Sequence, residues 1–416
     1  MAVQDGYGKS SGSESLVFAY DLKDTVNSFR GEPATNSQNA DISSMTQVGF
    51  DSWSCYDGSP PYHTWGTNQS KTFVTIPGPF GTSVNAMLYH NFNGGFYGPT
   101  DWGAVPNGTI TAGRTYTVQG WVRAADSSSI GKTVTPYTYY SHSGGAYSAG
   151  TNYTLTDQWQ LVSHTHTAQY NASGDGVMYF FTQNSGEVKM YLTMTGVFLD
   201  ESHAVPWIVG GSTRSNTQGL LDLTGNNTID LSNTSFDSNS LISLDGSNDY
   251  IKVQQNASLF GNDWTWEMVV KFNTNTGYYQ GLVWAEGDTG GGSGLQYLFC
   301  LYGSSYFHYR ISNTITGWGY TDTPTITFDP SQYNHIVWSF INGTTKIYIN
   351  GSLFHTDTTR GEYAGGVNSP VFLGARNDGW GGSIINPNVF KRYNRALTST
   401  EITNNYLKYK RQYGLT

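Results

Sequence analysis

Few residues in this chain have the types and spacing that chemistry requires. Cleavage of a glycosidic bond needs two carboxyl groups at a fixed separation. Glu286 and Asp288 are two apart, but they sit in Glu286-Gly287-Asp288-Thr289-Gly290-Gly291-Gly292. A glycine-rich loop does not hold two acids at one distance. Glu267 sits in a strand-like run, with only Asp263, outside that run, near it. His164 and His166 are two apart, so on a strand they share a face and could begin a metal site. No third ligand lies near, and a solvated Thr/His face is the simpler reading. There is no Gly-x-Ser-x-Gly, no phosphate-binding Walker loop and no zinc spacing. Binding chemistry is better represented. Trp102, Trp318, Tyr320 and Trp380 lie beside glycines in Asp101-Trp102-Gly103, Thr316-Gly317-Trp318-Gly319-Tyr320 and Asp378-Gly379-Trp380-Gly381-Gly382. An aromatic ring in such a loop can stack on a sugar face, with Arg376 and Asp378 nearby to bond hydroxyls. The competing reading folds each ring back over the core.

Strands and turns must position these residues. Thr115-Tyr116-Thr117-Val118-Gln119-Gly120-Trp121-Val122-Arg123 alternates, as does the run from Gln158 to Thr167. Both predict half-buried strands. Asn342-Gly343 and Asn350-Gly351 separate three such runs, and Asn-Gly tolerates the positive φ of a tight hairpin turn. They predict a three-stranded meander. Thr398-x-x-Glu401 is a capping box that opens a helix over about 399–410. Trp121, Trp159, Trp264, Trp266 and Trp338 fall in strands and read mostly as core. The expected class is all-β: two β-sandwich (jelly-roll) domains with an N-terminal arm and one short C-terminal helix.

Composition agrees. The 416 residues carry 12% charged and 15% aromatic side chains, with 30 Tyr and 50 Gly. That is about half the usual charge of a globular domain. Tyr and Asn supply stacking and hydrogen bonds at small entropic cost, which suits adhesive surfaces, although Tyr and Thr also simply favour strands. Net charge is −9, and no basic cluster interleaves with aromatics, which argues against nucleic acid. No apolar window is long enough to span a membrane. The first residues lack the pattern of a secretory signal. Cys55 and Cys300 give no disulfide framework and read as buried small hydrophobes.

Two resemblances follow from the order of motifs. Ile110 to Ala124, Asp157 to Ser163 and Val197-Phe198-Leu199-Asp200 resemble the jelly-roll carbohydrate-binding modules found beside glycanases. Gly219 to Asn227, Leu244 to Ile251, Trp264 to Phe272, His335 to Phe340, Ile347 to Gly351, Val371 to Gly374 and Tyr393 to Thr398 resemble, in that order, the concanavalin A-like lectin and laminin G-like sandwiches. One departure is Asn386-Pro387-Asn388, where relatives have an acidic residue and an unbroken strand; a bent edge is expected. The second resemblance also implies glycanases, but their Glu-x-Asp-x-(x)-Glu arrangement is missing. It implies calcium at a loop rim, with Asp245, Asp249, Asp288 and Asp378 as the acids placed for it; no other cofactor is required.

These readings divide the chain into an arm (1–40), a carbohydrate-binding-module-like jelly roll (41–203) and a concanavalin A-like/laminin G-like sandwich (204–416). The expected function is a phage virion structural protein, a fibre or appendage whose sandwiches bind host-surface glycans. The alternatives are a purely structural decoration subunit and, less favoured, a glycan-degrading enzyme. The Gly/Ser-rich start followed by the lone apolar strand Leu16 to Tyr20 suggests that residues 1–36 dock onto other virion proteins; the competing reading is that the strand completes the jelly roll of its own chain. A homo-oligomer, a trimer by preference, and a virion-surface location would follow.

Overall fold

The computed structural model describes residues 13–38, 43, 54–56, 69–92, 94–101, 109–140, 146–173, 176–272, 279–285, 297–303, 305–311, 320–359, 369–375, 382 and 385–415. The chain forms two compact units. One comprises Met1–Pro33, Ser215–Asp237 and Leu241–Thr416; the other comprises Ala34–Arg214 with Ser238–Ser240. The second unit is thus inserted into the chain of the first.

The first unit is a sandwich of two antiparallel sheets. One sheet runs Leu16–Asp21, Ile385–Tyr393, Trp264–Phe272, Asn334–Ile341, Thr344–Ile349, Ser352–Asp357. The other runs Ile229–Asp230, Ile251–Val253, Val371–Leu373, Tyr279–Ala285, Tyr297–Tyr302, Tyr306–Ile311, Tyr320–Asp322. Alternation decides what lies between them. Trp264, Trp266, Met268 and Val270 share one face of their strand and meet Tyr297, Phe299 and Leu301 from the opposite sheet, all fully buried. The last three strands of the six-stranded sheet form the expected meander. Asn342, Gly343, Asn350 and Gly351 all have positive φ (47°, 77°, 47° and 80°), as tight hairpin turns require. The helix spans Ser399–Tyr413 and starts in the expected capping box of Thr398 and Glu401. The hydrogen bond from Arg395 holds the Glu401 carboxyl down at about 2. The strand Ile385–Tyr393 runs through Pro387, and the disturbance is a bulge at Val269/Val270 opposite it. On its other side the neighbouring strand has ended at Asp21, paired with Val389, so no ladder bond needs the missing proline N–H there.

The expectation that the strand Leu16 to Tyr20 pairs with another chain is corrected. Residues 1–12 lie outside the described residues, but Leu16–Asp21 is an integral strand of this sandwich, antiparallel to Ile385–Tyr393. Its other edge is closed too. The Ala19 N–H donates to Asp222 Oδ1 (2.9 Å), the Leu223 N–H donates to the Ala19 carbonyl (2.8 Å), and Asn227 Nδ2 donates to the Val17 carbonyl (2.8 Å). A strand with both edges satisfied has nothing left to offer another chain. Sequence alone concealed this because its partners lie some 200 and 370 residues further along the chain.

The inserted unit is a jelly roll. A five-stranded sheet runs Gln160–Thr167, Thr115–Ala124, Val188–Leu199, Ser83–Asn91, Gln69–Pro77. A second runs Ala146–Ala149, Thr133–Tyr140, Gly176–Ser185, Gly94–Asp101, Ser54–Tyr56, with Tyr153–Thr154 beside Thr133–Tyr140. Met87, Tyr89, Val118, Val122, Val162, Phe180, Met190 and Leu192 form its core. Gly120 is required by packing, since a Cβ there would lie 2.8 Å from the Phe180 ring. A bulge between Thr193 and Gly196 puts Met194 at φ 47°. The buried Asn36 side chain satisfies the backbone around it: Nδ2 donates to the Thr195 and Ile208 carbonyls (3.3 and 2.8 Å), and Oδ1 accepts from the Val197 N–H (3.2 Å). Asn36→Ala strands these groups, so a loss of about 2–3 kcal/mol is expected in urea unfolding. A change below about 0.5 kcal/mol would show that the bulge does not need the plug.

Candidate functional site

In the seven-stranded sheet the face away from the core carries a continuous row across six strands. Register places Lys252 opposite Phe372, Phe372 opposite Trp284, Trp284 opposite Leu298, Leu298 opposite Arg310, and Arg310 opposite Tyr320. Trp284, Leu298, Cys300 and Phe372 are buried on this face. Toward one end the face opens. The strand Tyr306–Ile311 sends Phe307, Tyr309 and Ile311 into the core and leaves Tyr306, His308 and Arg310 outside, half-buried.

Four tyrosines gather there around a histidine. Ring centroids lie 4.8 Å apart for Tyr279 and Tyr302, 4.9 Å for Tyr279 and His308, 5.2 Å for Tyr302 and Tyr306, and 5.1 Å for His308 and Tyr320. His308 Nδ1 lies 2.7 Å from Asp322 Oδ1, directly across the ladder, which fixes the imidazole orientation. Tyr320 is 64% exposed. The Asp322 side chain is 43% exposed and the His308 side chain only 12%. The result is an aromatic shelf with one carboxylate at its rim.

Its ionisation suits binding. Burial, then the nearby Cys300 thiol, raises the Tyr279 phenol; burial, then Asp322, raises Tyr306. Burial and Asp322 push the free Cys300 thiol well above its ordinary range, so it is not a thiolate at neutral pH. These groups offer hydroxyls and faces rather than nucleophiles.

Of the residues singled out from sequence, Tyr320 falls in this cluster. Trp102, Trp318, Trp380, Arg376 and Asp378 lie outside the described residues, as do Asp288 and Glu286. Asp249 is 6% exposed and spends both oxygens on protein donors, the Asp245 N–H (2.8 Å) and the Ser235 hydroxyl (3.1 Å). Asp245 accepts from the Ser247 N–H. Both acids are engaged in hydrogen bonds of the turn they sit in. Among the described residues no group of three or more His, Cys, Asp or Glu side chains is placed to hold a metal. His164 bonds Ser148 Oγ (2.8 Å), and burial lowers the pKa of both His164 and His166. Glu267 is on the outer face of the six-stranded sheet and fully buried, bonded to His335, Tyr393 and Asn405.

Tyr279, Tyr302, Tyr306, His308 and Asp322 were not evident from sequence. The available signal was Tyr306-Phe307-His308-Tyr309-Arg310-Ile311, whose polar-aromatic half is a face, not a core. Trp264, Trp266 and Trp338 are core as read, whereas Trp121 and Trp159 are partly exposed on the outer face of the five-stranded sheet.

No curated protein matches the chain. Among solved structures, the binding domain of Paraclostridial Mosquitocidal Protein 1 aligns at 21% identity, over 46% of this chain and 49% of that one, with a TM-score of 0.34. The botulinum neurotoxin serotype D binding domain aligns at 13% identity over 46% and 50%, with a TM-score of 0.35. The serotype G binding domain aligns at 16% identity over 46% and 48%, also with a TM-score of 0.35. The alignments span about half of each chain, and TM-scores this low establish no common arrangement. The sequence match is more informative, because residues 245–403 fit the family model described as Laminin_G_3, concanavalin A-like lectin/glucanases superfamily. Residues 245–403, which carry the tyrosine shelf, are therefore similar in sequence to concanavalin A-like, laminin G-like domains.

Proposed function

We propose that this protein binds glycans, and that the Tyr279–Tyr302–Tyr306–Tyr320 shelf of its concanavalin A-like sandwich is where a sugar docks. One observation carries the reading: an exposed ring, Tyr320, rests beside a histidine oriented by a half-exposed carboxylate. An aromatic face takes the C–H side of a pyranose, and Asp322 accepts from its hydroxyls. The expected setting is a phage virion appendage that attaches to host-surface glycans. Low charge and an abundance of Tyr support an adhesive role in that setting. Binding is favoured over catalysis because Glu267 is sealed in and, among the described residues, the shelf holds no activated nucleophile.

Glycan-array screening of the full chain, followed by calorimetry on the best hit, tests this. Tyr320→Ala and Asp322→Asn are each expected to weaken binding about tenfold, or about 1.4 kcal/mol. An array with no binding, or a hit indifferent to both substitutions, would overturn it.

A further inference from the structure

The inserted jelly roll has its own half-exposed aromatic face. On the outside of the five-stranded sheet, Trp121 and Arg123 share one side of their strand. Trp121 stands opposite Leu161 and Thr193, and Arg123 opposite Tyr191. The Arg123 guanidinium lies 5.1 Å from the Trp159 ring centroid and 5.0 Å from that of Tyr191. Those two rings are 6.4 Å apart and inclined at 45°. Trp159 is fixed in turn, since its Nε1 donates to the Pro77 carbonyl (3.0 Å) at the start of the next hairpin turn. That turn, Gly78 to Thr82, closes with the Gly78 N–H on the Thr82 carbonyl and presents Phe80, which is 61% exposed. Phe80 meets Trp121 at 5.4 Å and 75°, so the two rings form an open corner beside the guanidinium.

The charge is the unusual part. Arg123 Nε is shielded from solvent and has no hydrogen-bond partner among the described residues. Its contacts there are the two rings, and no carboxylate pairs with it. Asp126 and Glu187 are engaged elsewhere: both pair with Lys189 (3.3 and 2.8 Å), and Glu187 also with His90. Two rings therefore hold one guanidinium in place with its donors uncommitted, in a chain whose net charge is −9. A planar fork of this kind matches an oxyanion in bidentate fashion. The adjoining corner of Trp121 and Phe80 fits the apolar face of a sugar ring rather than a peptide backbone.

We propose that this face is a second ligand site, separate from the tyrosine shelf, and that it takes a sugar bearing a carboxylate or sulfate group. Arg123 receives the anion while Trp121 and Phe80 stack on the ring.

Calorimetry on the full chain tests this with four probes: oligogalacturonate, a sulfated dextran oligomer, maltohexaose and a short polyglutamate peptide. One or both anionic sugars are expected to bind, and comparison of the two tells carboxylate from sulfate. Maltohexaose and polyglutamate are expected to bind at least tenfold more weakly. Arg123→Gln and Trp121→Ala should each reduce affinity for the anionic sugar tenfold or more, with the thermal unfolding midpoint unchanged. Arg123→Lys should recover only part of it. Tyr320→Ala should leave it intact, which separates this site from the shelf. The proposal is overturned if neither anionic sugar binds, if Arg123→Gln binds as well as the parent, or if polyglutamate competes equally, since the face would then read charge alone.

Discussion

A chain lacking residues 13–24 is expected to lose its concanavalin A-like sandwich, not merely an appendage. Phe18, Ala19 and Tyr20 are fully excluded from solvent, and Phe18 meets Trp266 edge-on at 6.0 Å while Tyr20 stacks on Phe390 at 5.6 Å. Removing one buried aromatic side chain costs about 3–5 kcal/mol. Two of them, with the Ile385–Tyr393 ladder opened as well, amount to most of the roughly 5–15 kcal/mol that holds a domain folded. Further along, Asp21 accepts from Tyr413 and Gln412, and Lys23 donates to the Gln412 carbonyl, so the end of the helix loses its anchor too. The measurement is thermal unfolding by near-ultraviolet circular dichroism with size-exclusion chromatography. Loss of the transition or aggregation is expected, with partial recovery on adding a peptide of residues 13–24. A truncated chain that melts within about 2 °C of the parent would refute the strand's role.

Glu267→Ala should be the most destabilising single substitution on the outer face of the six-stranded sheet. Its carboxylate is fully buried beneath the C-terminal helix, with Oε1 2.8 Å from His335 Nε2, and with Oε2 accepting from the Tyr393 hydroxyl (2.6 Å) and Asn405 Nδ2 (3.2 Å). Deleting it strands three buried polar groups and the nearby Lys391, at an expected cost of about 3–5 kcal/mol. Burial alone would raise the pKa of Glu267, but His335, Lys391 and Tyr393 outweigh burial and hold it below the ordinary glutamate range. A carboxyl lowered in the folded state binds protons more readily when unfolded. Its contribution is thus complete above the ordinary glutamate range and fades as pH falls below it. Urea unfolding from pH 7 down to pH 3 should show this loss in the parent and a flatter profile in Glu267→Gln. An alanine variant as stable as the parent would sink the idea, and so would matching pH profiles.

The elements legible in the sequence were those coded locally. Asn342-Gly343, Asn350-Gly351 and Thr398-x-x-Glu401 each specify a turn or a cap within four residues, and each appears where expected. Leu16 to Tyr20 was legible as a strand but not in its pairing, because a β ladder records nothing of its partner beyond alternation. The tyrosine shelf failed for a related reason. Tyr has the same strand propensity inside and outside, so Tyr297 and Tyr309 in the core look like Tyr302 and Tyr306 outside until register is known. Of the tryptophans read mostly as core, Trp264, Trp266 and Trp338 are buried, while strand alternation turns Trp121 outward, as it is bound to do for some of them.

The insertion of one unit within the other sets an order of events during synthesis. Asp21 and its partner Tyr413 are 392 residues apart. At about 5–20 residues per second, the first strand waits on the order of 20–80 s for the strand and helix that complete its sheet. Every strand of the jelly roll is synthesised within that interval, so the inserted unit can close while the surrounding one still lacks most of its sheets. The hexapeptide Leu16–Asp21 meanwhile carries Phe18 and Tyr20 uncovered on a nascent chain. The segment around Asp222 to Asn227 bonds one edge of the strand well before Ile385–Tyr393 arrives to bond the other. A premature stop after residue 240 would therefore release a finished jelly roll trailing an incomplete and adhesive sandwich.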